Sequence, residues 1–176
     1  ARLADAVAME LLGTRFFRQF RRVFTRFTEA LPPGPPATDR HALALLQLTR
    51  VLFLYFVQSK GWLDGRGDFL ARAIDEGLQR GRRLHRDLLR PLFFGTLNRP
   101  VHARSAAARR FGAIPFLNGG LFAPHPLEQQ WRADLSNAVW RDAFDDLFER
   151  FHFVTREGSD GAIAPDMLGR VFESLM

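Results

Sequence analysis

The residues in this chain best suited to chemistry are its arginines. Arg15, Arg18, Arg22 and Arg26 recur at helical spacing, while Arg80, Arg82, Arg83, Arg86 and Arg90 crowd with His85 into eleven residues. A guanidinium is planar, permanently charged and able to meet two phosphate oxygens at once. Rows of this kind suit phosphate contacts, which position a duplex without reading its sequence. They equally suit a solvated helix face, or one paired with acids elsewhere. The net charge is +6, and of 25 basic residues only Lys60 is not arginine. A basic balance favours polyanions, nucleic acid first, although a GC-rich genome also favours arginine codons.

No other chemistry assembles from local spacing. There is no Cys, which excludes disulfides, Cys-ligated zinc and thiol catalysis. The histidines at 41, 85, 102, 125 and 152 are scattered, with no metal-ligand spacing. Asp142, Asp145, Asp146 and Glu149 form an acidic helix face. A metal nuclease would want a Lys beside such acids, and the single Lys60 lies elsewhere, so they read as solvated or paired with the first arginine stripe. Asn118-Gly119-Gly120 tolerates positive φ. Without a following Lys and Ser or Thr it is no P-loop, and it reads as a hydrophobic loop pinned into the core. The residues themselves therefore nominate no catalytic, cofactor-binding or metal-binding position.

The elements that position the arginines follow from periodicity. Within the stretch 41–62, residues 42–57 are apolar almost continuously, broken only by Gln47, Thr49 and Arg50. A helix apolar nearly all round is a buried one, so this is the expected centre. Thr38 or Asp39 is its expected cap and Gly61 its left-handed stop. Gln47, Arg50 and Gln58 fall near one stripe, expected to face solvent or polar contacts. A membrane span is rejected because Arg50 sits mid-segment and His41 and Lys60 flank it. Residues 5–30 predict an amphipathic helix, with Leu12, Phe16, Phe20, Val23 and Phe27 on one face and the arginine stripe nearly opposite. Residues 31–37, with four prolines in five positions, predict a stiff helix–helix connector. Asp68 opens a predicted helix to about 80, and Pro91 should end or kink the next one. Residues 101–112 read as a mobile loop or short helix. Ser136 or Asp134 opens a helix to about 151; residues 151–155 read as extended, and a final helix starts near 165.

With 176 residues, 47% of them hydrophobic and 18 of them Phe, the chain has ample material for one core. The expected class is all-α: an irregular helical bundle around a central buried helix at about 41–60, with long loops, forming a single domain over 1–176. No signal peptide pattern is present, which points to the cytoplasm. The chain lacks an initiator Met and stops mid-pattern, so it reads as a piece of something longer.

Five blocks in this order carry a resemblance: TRFFRQFRRVFTRFTEA, LTRVLFLYFVQSKGWLDG, RDLLRPLFFGTLNRP, GAIPFLNGGLFAP and FHFVTREGSDGAIAPDMLGRVFESLM. They are similar to the N6-adenine DNA methyltransferases of the type IIG restriction–modification class and related phage-defence methylases. The blocks match the helical region just upstream of the methylase domain, and residues 163–176 would lead into that domain's first motif. The resemblance implies S-adenosylmethionine as cofactor of the longer protein, double-stranded DNA and the adjacent methylase domain as partners, and no membrane. The family's methyl-donor glycine motif, its Asn-Pro-Pro-aromatic loop and the type IIG nuclease motif do not occur here, so no catalytic residue carries over. The expectation is a non-catalytic, DNA-facing helical connector, with Arg15, Arg18, Arg22, Arg26, Arg80, Arg82, Arg83 and Arg86 as candidate phosphate contacts. The rival is a purely structural scaffold whose arginines meet protein acids.

Overall fold

The computed structural model describes residues 2–154 and 162–163. Helix α1 (Arg2–Ala30) and helix α2 (Ala37–Ser59) form the frame. Phe16, Phe20, Val23 and Phe27 are all buried, and Leu12 packs at the edge of the same face, as the spacing predicts. Each Phe hidden this way contributes about 1.5–3 kcal/mol. The helix begins earlier than residue 5, and its first turns leave Leu3, Val7 and Leu11 exposed.

Helix α2 is the buried centre, with Leu43, Leu48, Val51 and Leu54 wholly shielded. By length and composition it would pass for a membrane span, but 67% of its most apolar window is buried inside the protein. Its start differs from the expectation: Pro36, not Thr38 or Asp39, occupies the capping position and makes no side-chain bond. Asp39 instead accepts a hydrogen bond from Trp131 Nε1 at 3.1 Å. Its end agrees. Gly61 adopts φ +75°, its N–H donates to Gln58 O at 2.9 Å, and Trp62 N–H donates to Val57 O at 3.3 Å. This pair of bonds satisfies carbonyls that a helix end leaves open. The proline-rich connector is clamped by Arg40, which donates to the carbonyls of Thr28, Leu31 and Pro32 at 2.7, 3.0 and 2.9 Å. Those acceptors lie where α1 runs out of its own donors.

Helix α3 (Phe69–Gln79) buries Phe69, Leu70 and Ile74; Asp68 stands at its start without a capping bond. Two π-helical stretches follow, π1 (Leu84–Leu89) and π2 (Pro91–Leu97). Pro91 was expected to end or kink a helix, yet Arg90 stays helical at φ −60° and ψ −47° and the coil runs on. Proline clashes with the carbonyl four residues back and has no N–H to give; a wider turn makes room for the ring. Leu92 and Phe93 anchor the stretch in the core. Residues 101–112 contain a 3₁₀ turn (Val101–Ala103) and helix α4 (Ala106–Arg109), capped by Ser105.

Helix α5 (Pro126–Gln130) precedes α6 (Asn137–Ala143), which Ser136 caps and which continues as π3 (Phe144–Phe148). The Trp140 ring meets Phe27 edge-on at 4.9 Å, and Tyr55 stacks on Phe148 at 5.4 Å. These contacts close α6 and π3 over α1 and α2. Strands β1 (His152–Phe153) and β2 (Ala162–Ile163) pair in parallel, with Phe153 reaching Phe16 at 6.0 Å. The protein is thus mostly helical, as expected, with this one short strand pair among the described residues. Residues 157–161, whose sequence reads as a loop, and the helix expected from about 165 lie outside the described residues.

Candidate nucleic-acid interface

Helix α1 presents its arginines on the side away from the phenylalanine face. Arg15, Arg18 and Arg22 are exposed and make no ion pair among the described residues. Arg26 differs: it pairs with Asp142 on α6. The stripe of four is therefore three free guanidiniums and one committed to protein. Arg21, which the spacing argument passed over, joins the free set. Its guanidinium lies 5.8 Å from the Phe17 ring centroid. Arg18, Arg21 and Arg22 line a shallow groove with Thr14, Phe17 and Thr25. The signal for Arg21 was its place three residues beyond Arg18 and four beyond Phe17, which puts all three on neighbouring positions of one helix.

The second cluster does not stay together. Arg80 closes α3, and Gly81 at φ +66° reverses the chain immediately after. Arg80 and Arg82 line a cleft with Arg66, Arg72 and Arg110, whereas Arg83 and Arg86 line another with Arg132, Asp134 and Pro32. Arg86 is also paired with Asp87 at 2.9 Å, and that hydrogen bond holds the Asp87 carboxyl below the usual carboxylate range. His85, which the sequence groups with these arginines, points inward. Leu135 N–H and Trp140 Nε1–H donate to its Nδ1 at 3.2 and 3.3 Å. Burial pushes its pKa down to about 4, so it adds no charge to the patch at neutral pH.

The stripe Gln47, Arg50 and Gln58 turns out to be the polar-contact side of α2 and not a solvent side, since all three are buried. Arg50 Nη1 and Nη2 donate to the Glu128 carboxylate at 2.9 and 2.7 Å. Its Nε and Nη2 also donate to the carbonyls of Leu121 and Ala123, at 2.8 and 2.9 Å. Phe93 and Phe94 flank it, with ring centroids 5.4 and 5.2 Å away. Gln47 Nε2 donates to Glu128 Oε2 at 3.1 Å, and Gln58 Oε1 accepts from Leu70 N–H at 2.8 Å. Burial raises the Glu128 carboxyl, but hydrogen bonding and charge from Arg50 outweigh it and the net shift is downward. This site pins the turn after Asn118-Gly119-Gly120 through its carbonyls, although Phe116 remains exposed. Sequence reasoning missed Glu128. The available signal was His125-Pro126-Leu127-Glu128, where Pro at the first helical position and Glu two residues later mark a capped helix start.

The acidic face is partly used inside the protein. Asp142 takes Arg26, and Glu149 accepts the Tyr55 hydroxyl at 2.7 Å. Burial and Glu149 together raise the Tyr55 pKa, so the phenol stays protonated. Among the described residues no group of three or more acidic or histidine side chains is arranged to hold a metal ion.

No family model matches the chain, and no solved structure matches it. It is 29% identical over 153 residues to a Methanocaldococcus jannaschii protein provisionally named a type II restriction enzyme and methyltransferase. The similarity covers 82% of this chain but 13% of that relative. The chain is therefore related in sequence to a restriction–modification protein and corresponds to a small part of it.

Proposed function

We propose that this chain is the helical connector of an adenine-specific DNA methyltransferase of the restriction–modification or phage-defence type, and that α1 faces duplex DNA. It lies upstream of the methylase domain and does no chemistry itself. One observation carries the reading: Arg15, Arg18 and Arg22 stand exposed along one side of a long helix with no ion pair among the described residues, while the other face of that helix is locked into the core. Duplex DNA carries about one charge per 1.7 Å of axis, so a straight row of guanidiniums finds several phosphates within reach. The family resemblance implies S-adenosylmethionine as the cofactor of a methylase domain outside this chain.

The test is salt-dependent duplex binding. Charge reversal at Arg15, Arg18 and Arg22 together should make the slope of log K against log salt shallower by about two to three units. An unchanged slope would remove α1 from the interface. The Arg26–Asp142 pair favours a second reading, in which the connector is a scaffold and its arginines meet acids of neighbouring domains. In that case the same triple variant weakens association with the flanking domain and leaves duplex binding intact.

A further inference from the structure

A cleft of about 480 Å³ opens between α3, the π1–π2 stretch and α4. That volume falls inside the range of about 300–1,000 Å³ typical of small-molecule sites. Its charge is unbalanced. Of its acids, Asp64 already accepts Ala113 N–H at 3.0 Å and faces Arg66 at 3.7 Å, while Asp87 holds Arg86 and Arg83 N–H, each at 2.9 Å. Arg72, Arg80, Arg82 and Arg110 also line it and make no ion pair among the described residues. Arg82 also acts on the Asp87 carboxyl, which Arg86 and Arg83 N–H already hold, so among the described lining residues Glu76 is the acid with no such partner, against four guanidiniums. A concavity lined by one sign of charge draws in the opposite sign.

The floor is apolar. Phe69 and Leu88 are buried there, and Ala73 and Phe111 are half-buried beside them. A ligand matched to both parts carries phosphate at one end and a flat, weakly polar ring at the other. The wall is also pre-set. Asp64 N–H donates to Ala113 O at 2.9 Å while its carboxylate accepts Ala113 N–H, and Asp64 itself is held at φ +56°. Gly112 completes the clasp at φ +92°, where a Cβ would meet the Asp64 carboxylate at 2.5 Å. The cleft shares no residue with the α1 groove.

We propose that this cleft binds a nucleoside phosphate, either free or as the terminal nucleotide of a nucleic-acid strand. The phosphate lies among Arg72, Arg80, Arg82 and Arg110, and the base lies on the Phe69–Phe111 floor. This assignment does not rest on the duplex reading of α1.

The experiment titrates the protein with adenosine monophosphate, inorganic pyrophosphate and a 5′-phosphorylated single-stranded oligonucleotide. Two independent variants probe the cleft, so a folding defect in one leaves the other decisive. Arg72→Gln with Arg110→Gln removes charge at exposed positions. Gly95→Leu adds bulk at a cleft-lining residue whose Cβ would meet nothing within 4 Å, and leaves the charge alone. Both should weaken adenosine monophosphate binding by about tenfold or more, and Arg18→Gln with Arg22→Gln should not. If the oligonucleotide binds with that same variant dependence and the mononucleotide does not bind, the ligand is a strand terminus. Binding of both probes that ignores Gly95→Leu, or that falls equally with the α1 variant, would overturn the site. Pyrophosphate bound as tightly as adenosine monophosphate would overturn the role of the floor and with it the nucleoside.

Discussion

On α2 the Arg50 guanidinium is shut away with Glu128, two backbone carbonyls and two phenylalanine rings; on α1, Arg15, Arg18 and Arg22 stand in water without an ion pair among the described residues. The side chain is the same, and the surroundings decide its work. A buried guanidinium has lost its hydration and must be satisfied by protein. Arg50 therefore acts as a tether between α2 and the segment at 121–128. An exposed guanidinium keeps its hydration and remains available to an outside partner. Arg26 stands between the two, partly exposed and already paired with Asp142.

The sharpest way to break this contrast is to remove the acid beneath Arg50. Glu128→Ala leaves a buried charge unpaired and should cost about 3–5 kcal/mol, read from urea unfolding. A loss below about 1 kcal/mol would show that the carbonyls of Leu121 and Ala123 satisfy Arg50 unaided.

His85 gives the next largest effect. Its folded pKa of about 4 lies below its ordinary 6.5, so between those values the unfolded chain binds more protons. Stability should be full above about pH 6.5 and fall as pH drops toward 4, by up to about 3 kcal/mol. His85→Asn keeps an acceptor near Nδ1 but does not titrate. Its stability between pH 6.5 and 4.5 should lose the part of the slope that His85 supplies. An identical slope in both proteins would place the acid sensitivity elsewhere.

Charge reversal of Arg15, Arg18 and Arg22 should change unfolding by no more than about 0.5 kcal/mol per site while duplex affinity falls. A large stability loss would mean that these side chains hold the fold together. The smallest effect belongs to Arg26→Ala. Exposed pairs contribute about 0.2–1 kcal/mol, and the loss should shrink further in high salt. A salt-insensitive loss above that range would put Arg26 with Arg50 and not with its neighbours on α1.

Periodicity was a sound guide wherever the relevant contacts are local. The phenylalanine face of α1, the buried run of α2, the Gly61 stop and the Ser136 start were all legible, because each depends on residues within a turn or two. Charge grouping was a poor guide. Arg80 to Arg86 look like one patch in the chain, yet Arg80 and Arg82 line one cleft while Arg83 and Arg86 line another. His85 looks cationic beside them and is buried and neutral. Pro91 looks like a stop and is accommodated by a wider coil.

By itself, the amino-acid order determined that this protein would be helical, arginine-rich and centred on residues 41–60. Apolar spacing and turn residues act over a few positions, so they survive being read in one dimension. Only the tertiary structure decided which arginine meets an acid and which is left free. Arg50 finds Glu128 across 78 residues and Arg26 finds Asp142 across 116. Such pairings depend on how the helices pack, which spacing along the chain does not encode.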